Sequence, residues 1–544
     1  MLLQQFLENS AHLRPEKVAL VCGEERLSFG SIEYGANQLA RLLKDQGIRR
    51  QDRVGILLDN STTSAIALFG ILKADAIFLM LGATLKPPKL AYILNDCQVK
   101  ALVTHLSKAD VVREALKAAP DVELVLWTPK APDCDDKERQ PKTARSLSLA
   151  EALSGFEGSA PPPCRNIDLD LASIIYTSGS TGEPKGVMLT HLNMISAATS
   201  IIQYLQNRPD DIILNVLPLS FDYGLYQVLM AAKFGGTVVL ERSFNYPYQV
   251  IQKMIQEKVT GFPCVPTNLA ILLGLKNLDQ LDFSRLRYVT NTAAALPPAY
   301  IEKLRRIFPH VRIYSMYGLT ECKRVSYLPP EEIDRRPTSV GRGMPNEEVW
   351  IVDEQGNPVG PGIVGELVVR GSNVMRGYWG KPEETAQVLK PGKYPGEMVL
   401  YTGDLFKMDE DGYLYFVARK GDMIKSRGAR ISPKEIEQCL CSMEGVAEAA
   451  VIGVPHEILG ESIVAYVRVH DGIRFEPKEV TAYCKEHLED FMIPHEVHLV
   501  DCFPKTASGK IDKLALRERA GKPLAGSLRP EAENRPWAAG RPTG

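Results

Sequence analysis

The chain has 544 residues, 45% hydrophobic and 24% charged, a balance that excludes a largely disordered chain, a collagen-like fibre and a membrane bundle. Lys plus Arg (64) nearly cancel Asp plus Glu (66), leaving a formal charge of −2. The basic excess that a general nucleic-acid or anionic-membrane surface requires is therefore missing. Roughly 150 residues per domain allows three or four folding units, or one large core. The ten cysteines are scattered, and only Cys439 and Cys441 sit close together, which predicts free thiols in a reducing compartment and no zinc site. The N-terminal stretch has neither a basic n-region nor a long apolar run, so no secretory signal is expected. The most apolar stretch, Ser64 to Ala83, is interrupted by Lys73 and Asp75 and reads as a buried helix and strand, not a membrane span. A cytoplasmic protein is the expectation.

In chain order, apolar runs at Arg53, Lys100, Leu124, Ser173, Ile212 and Thr237 read as strands, and Ser31–Gln46 and Tyr248–Lys258 as helices between them. That alternation predicts βαβ units and an α/β fold with mostly parallel sheets. From Pro129 to Asp170 the pattern dissolves into Pro, charged and small residues, predicting a loop or subdomain connection. The runs starting at Glu366 and Tyr413 look like antiparallel strands. Past Ala418–Gly421 comes a compact α+β stretch: helix Pro433–Met443, strands Glu448–Gly453 and Glu461–Val469, helix Pro477–Leu488, and a last strand near His498. These shifts predict a large domain over 1–420, a small one over 421–520, and a disordered tail over 521–544.

The most informative segment runs from Ile174 to Val187, a strand leading into a turn packed with hydroxyls and glycines, then a lysine. Gly179 and Gly182 let backbone N–H groups approach phosphate oxygens, Thr177, Ser178, Ser180 and Thr181 add donors, and Lys185 supplies a cation. The spacing is not that of the G-x-x-x-x-G-K-S/T loop: two residues separate Gly182 from Lys185, and Gly186 follows the lysine.

This segment resembles the signature of the AMP-forming ligases, the superfamily of acyl-CoA synthetases, peptide-synthetase adenylation domains and luciferase. Four further elements resemble that family's motifs, in order: Tyr317-Gly-Leu-Thr-Glu321, Tyr401-Thr-Gly-Asp404, Arg419 to Glu437, and Pro504 to Lys510. The resemblance implies a large N-terminal domain of parallel-rich sheets with a small barrel-like β subdomain, and a small mobile α+β C-terminal domain that acts as a lid over AMP. It also implies the chemistry: a carboxylate attacks the α-phosphate of ATP, pyrophosphate leaves, and a thiol then takes the acyl group from the adenylate. By resemblance, residues 177–185 hold the β- and γ-phosphates, Thr320 the α-phosphate and Glu321 Mg²⁺. Tyr317 borders the adenine, Gly318 counts among the ATP- and AMP-binding residues, Asp404 meets the ribose, and Arg419 the ribose or phosphate. Lys510 bridges carboxylate and phosphate, so Lys510, Thr320 and Lys185 are the expected catalytic residues. Gly421 takes the hinge position, where the family has Asp or Lys.

The acid pocket, laid along the same pattern, comprises Asp222, Tyr223, Tyr226, Pro263, Val289, Asn291, Met316, Arg324 and Val325. Phe221-Asp222 matches adenylation domains for amino acids, in which the Asp pairs with the substrate's amino group. Local donors or a protein cation would satisfy Asp222 equally well. Arg324 can pair with Asp222, meet an acidic substrate group, or point outward. The expected substrate is a small carboxylic or amino acid, and the expected acceptor the phosphopantetheine thiol of a separate carrier protein. The alternatives are free coenzyme A as acceptor, a luciferase-like oxygenase, and an inactive nucleotide-binding protein.

Overall fold

The structure is a computed structural model that describes residues 1–128, 144–178, 184–292, 296–426, 429–456, 459–470, 472–489, 492–506 and 510–520. The expected tail and residues 179–183 of the glycine-rich turn lie outside the described residues. Two compact units divide the chain. The first comprises Met1–Gly421 with Thr506–Lys510, and the second Asp422–Lys505 with the residues from Ile511 onward.

Two large sheets build the first unit. In one, the strands follow the order Gly377–Tyr378, Pro184–Thr190, Leu171–Ser178, Ile77–Met80, Arg53–Leu57, Ala101–His105, Leu124–Thr128, Arg145–Ser148. From Leu171–Ser178 to the far edge every pairing is parallel, while the two pairings at the near edge are antiparallel. Ile77–Met80 and Leu124–Thr128 are buried along their whole length, which is why both read as unbroken apolar runs. In the second sheet, parallel pairings join Arg312–Tyr317, Tyr288–Asn291, Gly261–Cys264, Ile212–Asn215, Thr237–Leu240 and Val18–Cys22. A third, antiparallel sheet of five strands contains Gly365–Gly371, Met398–Met408 and Leu414–Arg419; the first and last of these flank the long middle strand.

Helix starts follow local chemistry. The Ser28 hydroxyl accepts from the Ser31 N–H to begin Phe29–Asp45, and Ser61 and Ser64 form a reciprocal capping box at Thr62–Lys73. The stretch 64–83 is thus a helix followed by the strand Ile77–Met80, as expected. The segment read as a loop or connection is corrected in part: it contains the strand Arg145–Ser148, parallel to Leu124–Thr128, and the short helix Leu149–Leu153. Nothing local in Arg-Ser-Leu-Ser signals a strand; its neighbour in the sheet creates it. Among the described residues, no helix is long and apolar enough to cross a membrane, and the nine described cysteines are free.

In the second unit, Gly460–Val469 pairs antiparallel with Val446–His456 and parallel with Glu496–Leu499, and the helices Pro433–Ser442 and Pro477–His487 supply apolar side chains to the same core. A short hairpin, Ile424–Ser426 with Ala429–Ile431, and a helix, Lys513–Ala520, complete it. Neither has a clear sequence signal.

One buried titratable group carries a stability prediction. His191 begins the helix His191–Leu205, is fully buried, and accepts the Leu3 N–H on Nδ1 at 3.2 Å. Burial pushes its pKa down to about 4, against the pull of Asp170 and Asp168. The unfolded chain, with an ordinary histidine, binds more protons between about pH 6.5 and pH 4, so stability falls as pH drops through that window and levels off below it. The full effect is up to about 3 kcal/mol. Urea unfolding at pH 7 and pH 4.5 checks it: the loss between the two is expected to be smaller in His191→Gln than in the parent protein. An equal loss would contradict the assignment.

Candidate functional site

Two of the expected nucleotide segments sit at the C-terminal ends of strands in the parallel sheets, where open α/β sheets bind ligands. Tyr317 ends the strand Arg312–Tyr317, and Thr177 and Ser178 end Leu171–Ser178. The glycine-rich turn joins two antiparallel strands, with Thr177 opposite Lys185 and Ser178 opposite Pro184. Of Ser178 only the backbone is described, and Gly179, Ser180, Thr181 and Gly182 fall among the undescribed residues.

The Tyr317 hydroxyl donates to Asp404 Oδ2 at 2.6 Å, and Arg419 Nε lies 3.3 Å from Asp404 Oδ1. Asp404 and Arg419 face each other across neighbouring antiparallel strands, so the sheet register itself sets this pair. Asp404 is only 4% exposed, and its N–H donates to the Thr402 hydroxyl at 3.2 Å. Burial and the adjacent carboxylate hold the Tyr317 phenol far above its ordinary range, so it stays a donor. The Tyr317 ring meets Phe406 edge-on at 4.8 Å and lies tilted to Phe416 at 6.5 Å, which fixes the ring plane.

Gly318 opens the turn after Tyr317 and has to be glycine. A Cβ there would lie 2.4 Å from the Lys323 carbonyl oxygen and 2.9 Å from Arg324 Cα. Thr320 and Glu321 follow, both partly buried. Glu321 Oε1 accepts from the Tyr378 hydroxyl at 2.7 Å, and the Lys185 ammonium lies 5.3 Å from the centre of the Tyr378 ring. Tyr378 therefore links two residues that the motifs place separately. Sequence reading missed it; the aromatic pair Tyr378-Trp379 after Gly377 was the available signal.

Lys510 and Thr506 close a short loop: the Thr506 N–H donates to the Lys510 carbonyl at 2.8 Å, and the Lys510 N–H to the Thr506 hydroxyl at 3.2 Å. Burial and the charge of Arg419 lower the Lys510 pKa, while Asp222, Asp404 and Glu321 oppose them. The Lys510 ammonium thus lies in the field of all three carboxylates that the motifs single out.

Asp222 begins the helix Asp222–Phe234, where the helix dipole favours a carboxylate. Its partner is not Arg324. The ammonium of Lys323, itself 4% exposed, lies 3.8 Å from Asp222 Oδ1, 5.2 Å from the Tyr223 ring centre and 4.7 Å from that of Tyr226. Burial pushes the Lys323 pKa down to about 7, with Asp222 pulling the other way. Arg324, 2% exposed, donates from Nη1 to the Thr292 hydroxyl at 2.6 Å and lies 5.4 Å from the Tyr223 ring centre, so it does not point outward. Of the readings open for Asp222, the protein cation is the one seen. Lys323 was missed because it is not among the motif-aligned pocket positions, although a Lys-Arg pair set between Cys322 and Val325 was a visible irregularity.

Tyr223 donates to the Thr290 carbonyl at 3.1 Å, and Met316 Sδ accepts from the Tyr204 hydroxyl at 3.1 Å. Tyr226, Asn291, Met316 and Val325 are buried, and Asn291 ends its strand opposite Cys264. Val289 does not join Tyr223: it belongs to a second apolar cluster with Phe262 and Cys264, and Thr290 meets Tyr223 instead. Pro263 pairs with Thr290 in the register. Gly421 ends the first unit, and a Cβ there meets nothing within 4 Å.

Residues 7–379 match the AMP-binding enzyme family, and residues 435–510 match the AMP-binding enzyme C-terminal domain. The chain is 32% identical over 525 residues to an indoleacetate–CoA ligase of Aromatoleum aromaticum, covering 95% of this chain and 98% of that protein. It is 31% identical over 542 residues to tyrocidine synthase 2 of Brevibacillus parabrevis, covering 96% of this chain but 14% of that much longer protein. In three dimensions it resembles the anthranilate CoA ligase AuaEII in complex with anthranoyl-AMP, with a TM-score of 0.86 and 28% identity over 96% of this chain and 97% of that one. The chain belongs to the AMP-binding enzyme family, the AMP-forming ligases that make acyl-adenylates.

Proposed function

We propose that the chain is an acid–CoA ligase: it activates a small carboxylic acid as its adenylate and passes the acyl group to coenzyme A. In the first step a carboxylate oxygen bonds to the α-phosphorus of ATP and pyrophosphate departs. In the second, the coenzyme A sulfur bonds to the acyl carbon, AMP leaves, and the thiol proton is released. The observation that carries this reading is the cluster of motif residues in one unit: Asp404 held by Tyr317 at 2.6 Å and by Arg419 at 3.3 Å, and Glu321 held by Tyr378 at 2.7 Å, with Lys510 in the same unit and within electrostatic reach of Asp404 and Glu321. A cation there offsets the repulsion between an incoming carboxylate and the α-phosphate, which is the main barrier to the first step.

We assign the remaining roles from the motifs, with the geometry in support where it is described. Asp404 offers the ribose hydroxyls an acceptor whose position Tyr317 and Arg419 fix. Residues 177–182 and Lys185 hold the β- and γ-phosphates, Thr320 donates to the α-phosphate, and Gly318 lets the turn fold close beneath them. Glu321 fits Mg²⁺: it is a hard oxygen donor with Oε1 engaged by Tyr378 and Oε2 left for the ion. Bound there, Mg²⁺ neutralises phosphate charge. Among the described residues no cluster of three potential metal ligands exists, in keeping with an ion that arrives on the triphosphate. We assign residues 421–520 the role of AMP-binding lid, with Gly421 as its hinge, and Tyr223, Tyr226, Asn291, Met316 and Arg324 to the acid pocket.

Coenzyme A is the acceptor we favour over a carrier protein. Two of the three relatives described are CoA ligases matched over nearly their whole length. Similarity to a segment of a peptide synthetase keeps a separate carrier protein as the second reading. Incubation with MgATP, coenzyme A and a panel of aryl and short acyl acids, followed by mass spectrometry, tests this: an acyl-CoA with stoichiometric AMP is expected. Adenylate formation with coenzyme A left unconsumed would return the carrier protein to first place.

A further inference from the structure

The contact between Asp222 and Lys323 bears on which acids the proposed ligase admits, an inference that rests on the reading above. A buried carboxylate needs a counter-charge. In amino-acid-activating relatives, the resemblance assigns that charge to the substrate. Here the protein supplies it: the Lys323 ammonium lies 3.8 Å from Asp222 Oδ1, and the ring faces of Tyr223 and Tyr226 lie 5.2 and 4.7 Å from it. Two aromatic faces and one carboxylate satisfy a buried cation from three sides.

The backbone holds Lys323 in place. Its φ is +67°, the left-handed region in which a residue with a side chain is rarely found. Its carbonyl oxygen packs close to Gly318, where a Cβ would lie only 2.4 Å away, so glycine at 318 is what admits this turn. Arg324 cannot serve as a substitute partner in this arrangement, since its guanidinium is directed to the Thr292 hydroxyl and lies 5.4 Å from the Tyr223 ring centre. An incoming ammonium would have to share with Lys323 the one buried carboxylate that Lys323 already contacts. Like charges in such a site repel strongly, and a desolvated ammonium left without a partner is costly.

We propose that Lys323 is a built-in occupant of the ammonium subsite and a specificity-determining residue: it closes Asp222 to α-amino acids and restricts the enzyme to carboxylic acids that carry no α-ammonium group.

The test compares matched acids that differ only by the amino group: alanine with propanoate, valine with 3-methylbutanoate, phenylalanine with 3-phenylpropanoate, and proline with cyclopentanecarboxylate. ATP–pyrophosphate exchange is measured for each pair with the intact protein. For the best pair, kcat/KM is expected to favour the des-amino acid by about 100-fold or more. Lys323→Met, which keeps length but removes charge, is expected to shift that ratio toward the amino acid by about tenfold or more, while Lys323→Arg keeps the parent preference. The double variant Asp222→Asn with Lys323→Met removes both charges and is expected to lose the gain; a general loosening of the pocket would not be reversed this way. A parent enzyme that uses an amino acid as well as its des-amino partner overturns the inference, whether or not the variants fold. So does a Lys323→Met enzyme that folds, exchanges with the des-amino acid and keeps the parent ratio. In both cases the proposed ligase stands. Absence of exchange with every acid overturns the proposed function and this inference together.

Discussion

Lys510→Ala is expected to lower carboxylate-dependent ATP–pyrophosphate exchange by about 10²–10⁴-fold, the range for removal of one electrostatic stabiliser from a catalytic site. The charge environment of Lys510 is the reason. Burial and Arg419 disfavour its protonated form, and the carboxylates Asp222, Asp404 and Glu321 favour it. An acid carboxylate and a triphosphate entering that field would add negative charge and hold the proton more firmly. Removing the ammonium leaves the two reacting anions without their shared cation. The thioester step begins from an adenylate already made, so coenzyme A is expected to consume acyl-adenylate supplied to the variant at near the parent rate. Stopped-flow mixing of the variant with synthetic adenylate and coenzyme A separates the two steps. Loss of both would contradict the role given to Lys510.

Gly318→Ala is expected to damage both stability and catalysis, because the atoms it strikes are backbone and cannot rotate away. Its Cβ would lie 2.4 Å from the Lys323 carbonyl oxygen and 2.9 Å from Arg324 Cα. The turn from 318 to 324 carries Thr320, Glu321, Lys323 and Arg324, so any relief moves several proposed site residues together. Overpacking of this kind costs about 1–3 kcal/mol. A displacement near 1 Å at a reacting centre costs about 100-fold in rate. Gly421→Ala is the contrast: its added Cβ meets nothing within 4 Å and its φ is not left-handed, so it is expected to melt like the parent. Thermal melting with exchange assays checks the pair. A Gly318→Ala protein with parental melting temperature and exchange would show that the turn has slack that the structure lacks.

The large parallel sheets were legible because strands buried on both faces carry apolar runs, as residues 54–57 and Leu124–Thr128 do. Short strands were not. Arg145–Ser148 and the hairpin Ile424–Ser426 with Ala429–Ile431 owe their conformation to pairing partners. The helix Lys513–Ala520 buries a single leucine, Leu516, too little to give an amphipathic pattern. The residues proposed to bind nucleotide stand out in the sequence because their motifs are contiguous, and the sheet register brings Asp404 to Arg419. The acid pocket was only half readable. Asp222 stood out because Phe221-Asp222 matches adenylation domains for amino acids, but its partner lies on a distant turn, and a charged pair of this kind leaves no periodic trace. Tyr378 escaped for the same reason, since it reaches Glu321 only after Gly377–Tyr378 pairs with Pro184–Thr190.

The most direct test of the account is exchange of labelled pyrophosphate into ATP, with and without a carboxylic acid, in the presence of Mg²⁺. Adenylate chemistry predicts exchange that depends on the acid, produces AMP and no ADP when thiol is added, and falls with Lys510→Ala. Release of ADP and inorganic phosphate, or exchange indifferent to every acid supplied, would contradict it.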